Sequence, residues 1–299
     1  MIRIDQVSKS FDGICAVREL SVEIREGSMF GLVGSNGAGK STLLRMLAGI
    51  LRPDRGRILV DEEAVYENPA VRQKLFYISD DPYFLPNSTA ADMMVFYRDF
   101  YPGFQSDRFH QLLDRFRLEE KRKLATFSKG MKRQVSVILG LCAGTKYLLC
   151  DETFDGLDPV MREMVKGLLF SARKEQGMTL ILASHNLREL EDICGRVGLL
   201  HQGGILFSGD LEEWKRTIHK VQFVLPEGTD LQVLHKLQPL KQEQRGRLLT
   251  LTCHGTEEEI LAKLGDLHPV FAEAIPLSPE EIFILETEAA GYDLRKSSI

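Results

Sequence analysis

"GSNGAGKST", residues 34–42, matches GxxxxGK[ST] in full, and its reading decides the fold of the first two thirds of the chain. It follows "MFGLVG", a short unbroken apolar run of the kind found in buried central strands. It precedes Leu43, Leu44, Met46, Leu47 and Ile50, which recur at helical spacing. Strand, glycine-rich turn and helix in that order form a phosphate cradle. Gly34, Gly37 and Gly39, with Ser35, Asn36 and Ala38 between them, let backbone N–H groups converge on an anion at the positive end of the helix. Lys40 is expected to reach the β- and γ-phosphates of a nucleotide, and Ser41, followed by Thr42, to offer a hydroxyl to Mg²⁺.

Upstream, "MIRIDQVS" and "AVRELSVEIREG" read as strands, the second alternating at Leu20, Val22 and Ile24. "RPDRG", residues 52–56, closes the unit with turn chemistry. Downstream, phosphoryl chemistry needs a carboxylate at the end of another buried strand, and "KYLLCDE", residues 146–152, supplies two. Asp151 can support Mg²⁺ through its water shell, and Glu152 can orient or deprotonate the attacking water. A further strand, "MTLILAS", leads to His185, a hydrogen-bond donor for a γ-phosphate. "FSKGMKRQ", residues 127–134, raises a separate question. The Ser128 hydroxyl and the bare backbone of Gly130 stand ahead of a helix as a second phosphate-binding turn would, yet the same residues also read as an ordinary cap with Ser128 at the N-cap.

A chain of 299 residues with 43% hydrophobic and 27% charged residues can bury a large core, and its length fits one large domain plus a small one. The net charge of −5 argues against a general polyanion-binding surface, so no nucleic-acid partner is expected, although "EEKRKLATFSKGMKR" is locally basic. Five scattered cysteines without CxxC spacing read as reduced core thiols, which points to the cytosol. No basic-then-apolar leader is evident, and no apolar run approaches the roughly 20 residues of a membrane span, so work at a membrane would need a partner to hold the chain there.

The order of phosphate loop, "SKG" at 128–130, "LLCDE" at 148–152, "DGLDP" at 155–159 and "SHN" at 184–186 resembles the nucleotide-binding subunit of an ATP-binding cassette (ABC) transporter, over residues 1 to about 215. The resemblance implies an α/β P-loop NTPase core of ABC type, with an antiparallel β subdomain and an inserted helical subdomain at about residues 86–145. It implies ATP and Mg²⁺ as ligands, and ATP hydrolysis coupled to transport. It also answers the question of the second turn: Ser128, Lys129 and Gly130 would bind the γ-phosphate of ATP held by the other subunit of a head-to-tail dimer. By the same resemblance Phe11 stacks on adenine and the residues from Gly34 to Thr42 bind phosphate. Ser41, Asp80 and Asp151 serve the metal, Glu152 is the general base, His185 is the switch residue, and Asp158 lies in the dimer-contact loop.

The chain departs from the family pattern in three places. Asp80, in "FYISDDPYF", stands where glutamine is usual, and a carboxylate there repels a γ-phosphate unless a metal lies between. Lys129 replaces a glycine in the signature turn, a form similar to one branch of bacterial cassettes. Thr153 and Phe154 replace the usual Pro-Thr. None of these removes a proton-transfer group.

"STAADMMVFYRDFY" and "DRFHQLLDRFRL" carry apolar residues at helical spacing. Tyr83, Phe84, Phe96, Tyr97, Phe100 and Tyr101 either belong to the core or line the groove that, in the family, receives a short helix of the membrane subunit. Beyond "GDLEEWKRTIHK", residues 216–299 alternate strand-like and helix-like patterns, with "LPEG" and "EQRG" as turns. They predict a small C-terminal α+β domain that resembles the tails of ABC-2 exporter ATPases and ends in a frayed "GYDLRKSSI". The expected protein is the ATPase subunit of an exporter. It would pair with itself or a second cassette subunit and lie on the inner face of the cell membrane through an integral membrane permease. The alternative is a soluble ATP-gated sensor or immunity protein, which Asp80 would favour.

Overall fold

The computed structural model describes residues 1–229 and 231–289. Two compact units part at 208/209, the first being Met1–Ser208.

The first unit opens with β1 (Ile2–Phe11), β2 (Ile14–Ile24), β3 (Met29–Val33) and α1 (Lys40–Leu47), the order expected from the phosphate loop outward. Next come β4 (Arg55–Val60), β5 (Glu63–Ala64), α2 (Pro69–Arg72) and β6 (Leu75–Ile78). The helical insertion comprises α3 (Ala90–Phe100), α4 (Ser106–Arg115) and α5 (Lys129–Cys142). The chain then alternates through β7 (Tyr147–Asp151), α6 (Pro159–Gln176), β8 (Thr179–Ser184), α7 (Leu187–Glu191), β9 (Arg196–His201) and β10 (Gly204–Asp210).

Two sheets result. One has the order β2-β1-β4-β5 with antiparallel pairs; the other has the order β10-β9-β3-β8-β7-β6, in which β9, β3, β8, β7 and β6 run parallel. Every residue of β3, β7 and β8 is buried, as continuous apolar runs in a sheet covered on both faces require. α5 is buried from Arg133 to Cys142, which explains its unbroken "VSVILGLC". Because β6, β7, β8 and β3 are parallel, their carboxyl ends lie along one edge, and the segments that follow them carry Asp80, Asp151–Glu152, His185 and the phosphate loop.

The second unit contains α8 (Leu211–Lys215), β11 (Ile218–Val224), β12 (Lys241–Arg245), β13 (Leu248–His254), α9 (Glu257–Gly265), β14 (Phe271–Ile275) and α10 (Pro279–Ala289). Its sheet, of order β12-β13-β11-β14, is antiparallel throughout. Val221, Phe223, Leu249 and Leu251 pack on Ile260 and Leu264 of α9. The "EQRG" turn is corrected: Glu243 to Arg245 belong to β12, and the chain turns at Gly246, φ +61°. An edge strand exposed at four of its five positions carries no apolar alternation by which to be recognised. "GYDLRKSSI" lies outside the described residues. Among those described, no helix is long and apolar enough to cross a membrane, and all five cysteines are free, four of them buried.

Candidate active site

The loop between β3 and α1 is shaped by glycines that no other residue could replace without displacing backbone. Gly39, at φ +104°, caps α1, and a Cβ there would fall 2.2 Å from the Ala16 carbonyl oxygen; one on Gly34 would fall 2.4 Å from that of Leu200. No side chain caps α1. Its first N–H groups and dipole therefore face a glycine turn free of side chains at Gly37, which suits a phosphate chain.

Lys40, only 5% exposed, donates to the carbonyl oxygens of Gly34 (2.6 Å) and Ser35 (3.2 Å) and lies 3.2 Å from Glu152 Oε1. Ser41 Oγ donates to Asp151 Oδ1 at 3.0 Å, and the Tyr77 hydroxyl donates to Asp151 Oδ2 at 2.9 Å. Burial raises the Asp151 pKa. The two hydroxyls oppose that shift and the neighbouring Glu152 and Asp80 reinforce it, so the net direction is upward. A serine hydroxyl against a fully buried carboxylate is an all-oxygen donor set of the kind Mg²⁺ takes.

Glu152 adopts a left-handed backbone, φ +46°, and its N–H donates to the Ala183 carbonyl at 3.0 Å, joining the end of β7 to β8. Its Oε2 accepts from the His185 main-chain N–H at 3.2 Å and lies 2.9 Å from His185 Nδ1. Asp155 sits beside this pair, the three side chains presenting polar atoms within 4.8 Å of one another.

Two residues absent from the sequence reading join this cluster, Tyr77 and Arg133. Arg133, fully buried in α5, donates from Nη2 to Asp80 Oδ1 (3.0 Å) and from Nη1 to the carbonyl oxygens of Ser79 (3.0 Å) and Asp151 (3.4 Å). Asp80 is therefore not the uncompensated carboxylate that its sequence position suggested. A charged residue at the start of the apolar stretch of α5 was the signal for it.

The other expected residues lie on other elements. Ser128 is the N-cap of α5, accepting from Met131 N–H at 3.2 Å, and both it and Lys129 are exposed. A Cβ on Gly130 would come 2.8 Å from the Gly156 carbonyl oxygen, so the signature turn packs on its own "DGLDP" segment, whose Asp158 caps α6 by accepting from Met161 N–H at 3.0 Å. Phe154 is buried, so the departure there fills core. Phe11, opposite Ile14 at the end of the β1–β2 hairpin, is 43% exposed with Lys9 Nζ 5.5 Å from its ring centre. None of the six aromatics named earlier is buried, and Tyr97, Phe100 and Tyr101 line a groove with Ile50, Arg72 and Phe76.

Residues 17–155 match the family model described as "ABC transporter". The chain is 31% identical over 284 residues to the ABC transporter ATP-binding protein YtrB of Bacillus subtilis (strain 168), covering 95% of this chain and 97% of that one. It is 30% identical over 252 residues to the methionine import ATP-binding protein MetN of Clostridioides difficile (strain 630), covering 78% of each. A solved ATP-binding subunit of an ABC transporter superposes with a TM-score of 0.66 at 25% identity, covering 72% of this chain and 92% of the other. A strand–glycine turn–helix with Lys40 against Glu152 and Ser41 against Asp151, on a chain so related from end to end, makes this protein a member of the ABC transporter family, an ATPase subunit of the ATP-binding cassette type.

Proposed function

We propose that two copies, or this chain and a second cassette subunit, close head to tail around two ATP molecules and reopen after hydrolysis, driving an integral membrane permease. The observation that carries this reading is the presence of two helix starts suited to phosphate. Lys40, Ser41, Asp151, Glu152 and His185 converge at the carboxyl edge of the parallel sheet, while Ser128 and Gly130 stand at another exposed helix start. One nucleotide is then gripped by two helix N-termini from two chains.

The backbone from Gly34 to Gly39, with Lys40, Ser41 and Thr42, binds the phosphates, and the exposed ring of Phe11 stacks on adenine. Ser41 and Asp151 would hold Mg²⁺, which when bound neutralises phosphate charge. Glu152 takes the proton of the attacking water; in the structure its carboxylate is held between Lys40 and His185, oriented but with an oxygen at each. His185 carries the presence of the γ-phosphate to that carboxylate. Lys129 adds a cation towards the partner's phosphates, and Asp158 lies at the dimer contact. The aromatic groove receives the permease, which would place the chain on the inner face of the membrane. Transport is outward, a direction supported by the "FSKGM" turn and the C-terminal unit; kinship near 30% does not set it, since MetN is an import protein. The sensor alternative rested on Asp80, and its pairing with Arg133 removes that support.

Glu152→Gln tests the reading. Turnover should fall about 10²–10³-fold while ATP with Mg²⁺ now gives a stable dimer by light scattering. Normal turnover in this variant would exclude Glu152 as the base.

A further inference from the structure

Asp80 and Arg133 form a pair that the nucleotide site does not need in order to bind phosphate. Arg133 comes from the second turn of α5, the helix that begins at the Ser128 turn, and is fully buried. Its fork spans the ends of two neighbouring strands. Nη2 donates to the Asp80 carboxylate and Nη1 to the Ser79 carbonyl beyond β6, and Nη1 also donates to the carbonyl of Asp151 at the end of β7. Its Nε has no hydrogen-bond partner. A buried guanidinium left partly unsatisfied depends strongly on its carboxylate, so the pair exists for Asp80 as much as for Arg133. Asp80 in turn is half exposed, with 52% of its side chain accessible, and follows Ser79, whose carbonyl shares one guanidinium nitrogen of Arg133 with the carbonyl of Asp151.

We propose that Arg133 is a positioning residue for nucleotide hydrolysis. It neutralises Asp80 beside the phosphates and, by bridging the ends of β6 and β7, fixes the Ser79–Asp80 turn relative to the Asp151–Glu152 turn. Asp80 is a tether for α5 rather than a metal ligand. Lysine could supply the charge but not the bridge, because only the planar guanidinium fork reaches a carboxylate and two carbonyls together. This inference rests on the proposed nucleotide site.

The test is ATP affinity by calorimetry at fixed Mg²⁺, with kcat and the Mg²⁺ concentration for half-maximal turnover, in R133Q, R133K, D80N and the D80N/R133Q double variant. R133Q leaves a bare carboxylate near the phosphates and should weaken ATP binding about tenfold. D80N removes the charge but keeps an amide oxygen placed to accept from Arg133, and should bind ATP as tightly as wild type or up to about fivefold more tightly, with an unchanged Mg²⁺ requirement and a lower kcat. R133K should keep wild-type affinity but lose kcat, and the double variant should recover affinity lost in R133Q. A D80N protein needing about tenfold more Mg²⁺ would make Asp80 a ligand and overturn the proposal. So would a double variant as weak as R133Q. Should R133Q not fold, D80N and R133K still decide. A wild-type chain that binds no ATP defeats the nucleotide site itself, whereas wild-type binding with unshifted variants defeats only this inference.

Discussion

Glu152 holds a left-handed backbone, φ +46°, at the residue where β7 gives way to the acidic turn. A non-glycine residue there carries strain of about 1–3 kcal/mol, which the Ala183 and His185 hydrogen bonds must hold in place. His185→Ala removes one side of the cradle and keeps the main-chain bond, so kcat should drop about 10–100-fold with ATP affinity nearly constant. An equal fall in affinity would make His185 a binding residue instead. Gly39→Ala should act on folding: left-handed φ and a Cβ 2.2 Å from Ala16 O predict a loss of about 2–4 kcal/mol in denaturant melts. A variant as stable as wild type would show that the loop has room to move. At this scale the legible residues were those whose meaning is local, because GxxxxGKST and a strand ending in Asp-Glu state their geometry in consecutive letters. Tyr77 and Arg133 escaped because their partners lie 74 and up to 54 positions away, and nothing local marks a tyrosine as the second hydroxyl on Asp151.

Elements of the first unit were legible where burial is complete. β3, β7 and β8 are apolar runs because both faces are covered, whereas polar β12 was hidden because an edge strand need bury nothing. The two sheets of the first unit also meet through charges that no periodicity announces. Asp61, just after β4, accepts from Tyr147 (2.5 Å) at the start of β7 and from Lys146 (3.0 Å), and the Met1 ammonium lies 2.8 Å away. Partial burial pushes its pKa up, but the ammonium, Tyr147 and Lys146 outweigh that and hold it well below the usual carboxylate range. A depressed folded pKa means stability that is fully present above the unfolded pKa, about 3.9, and lost as pH falls through the folded value. Asp61→Asn should therefore cost about 1–2 kcal/mol at pH 7, and the gap to wild type should narrow below about pH 4. A gap that stayed constant down to pH 3 would show that shape, not charge, joins the sheets here.

At the scale of the whole molecule, the family resemblance carried by the order of the motifs implied a dimer, but no single fold can display its second half. The Ser128 hydroxyl caps its own helix, and the turn stays exposed on the surface, available to another chain. If each composite site takes Lys40 from one chain and Ser128 from the other, two dead variants should complement. Ser128→Glu places a carboxylate against the partner's phosphates, and Lys40→Ala removes the cation that grips the chain's own. Each alone should lose turnover about a hundredfold or more, S128E while still binding ATP as a monomer. In a two-fold pair, mixing them makes heterodimers in which one site joins an intact phosphate loop to an intact signature turn and the other carries both lesions. With random pairing, half the dimers are mixed and half their sites are sound, so turnover should recover to about a quarter of the wild-type rate. Recovery requires residues from two chains in one site. If the equimolar mixture stays as inactive as its parts while crosslinking shows that the mixed dimers form, Ser128 and Lys40 do not serve one nucleotide across the interface.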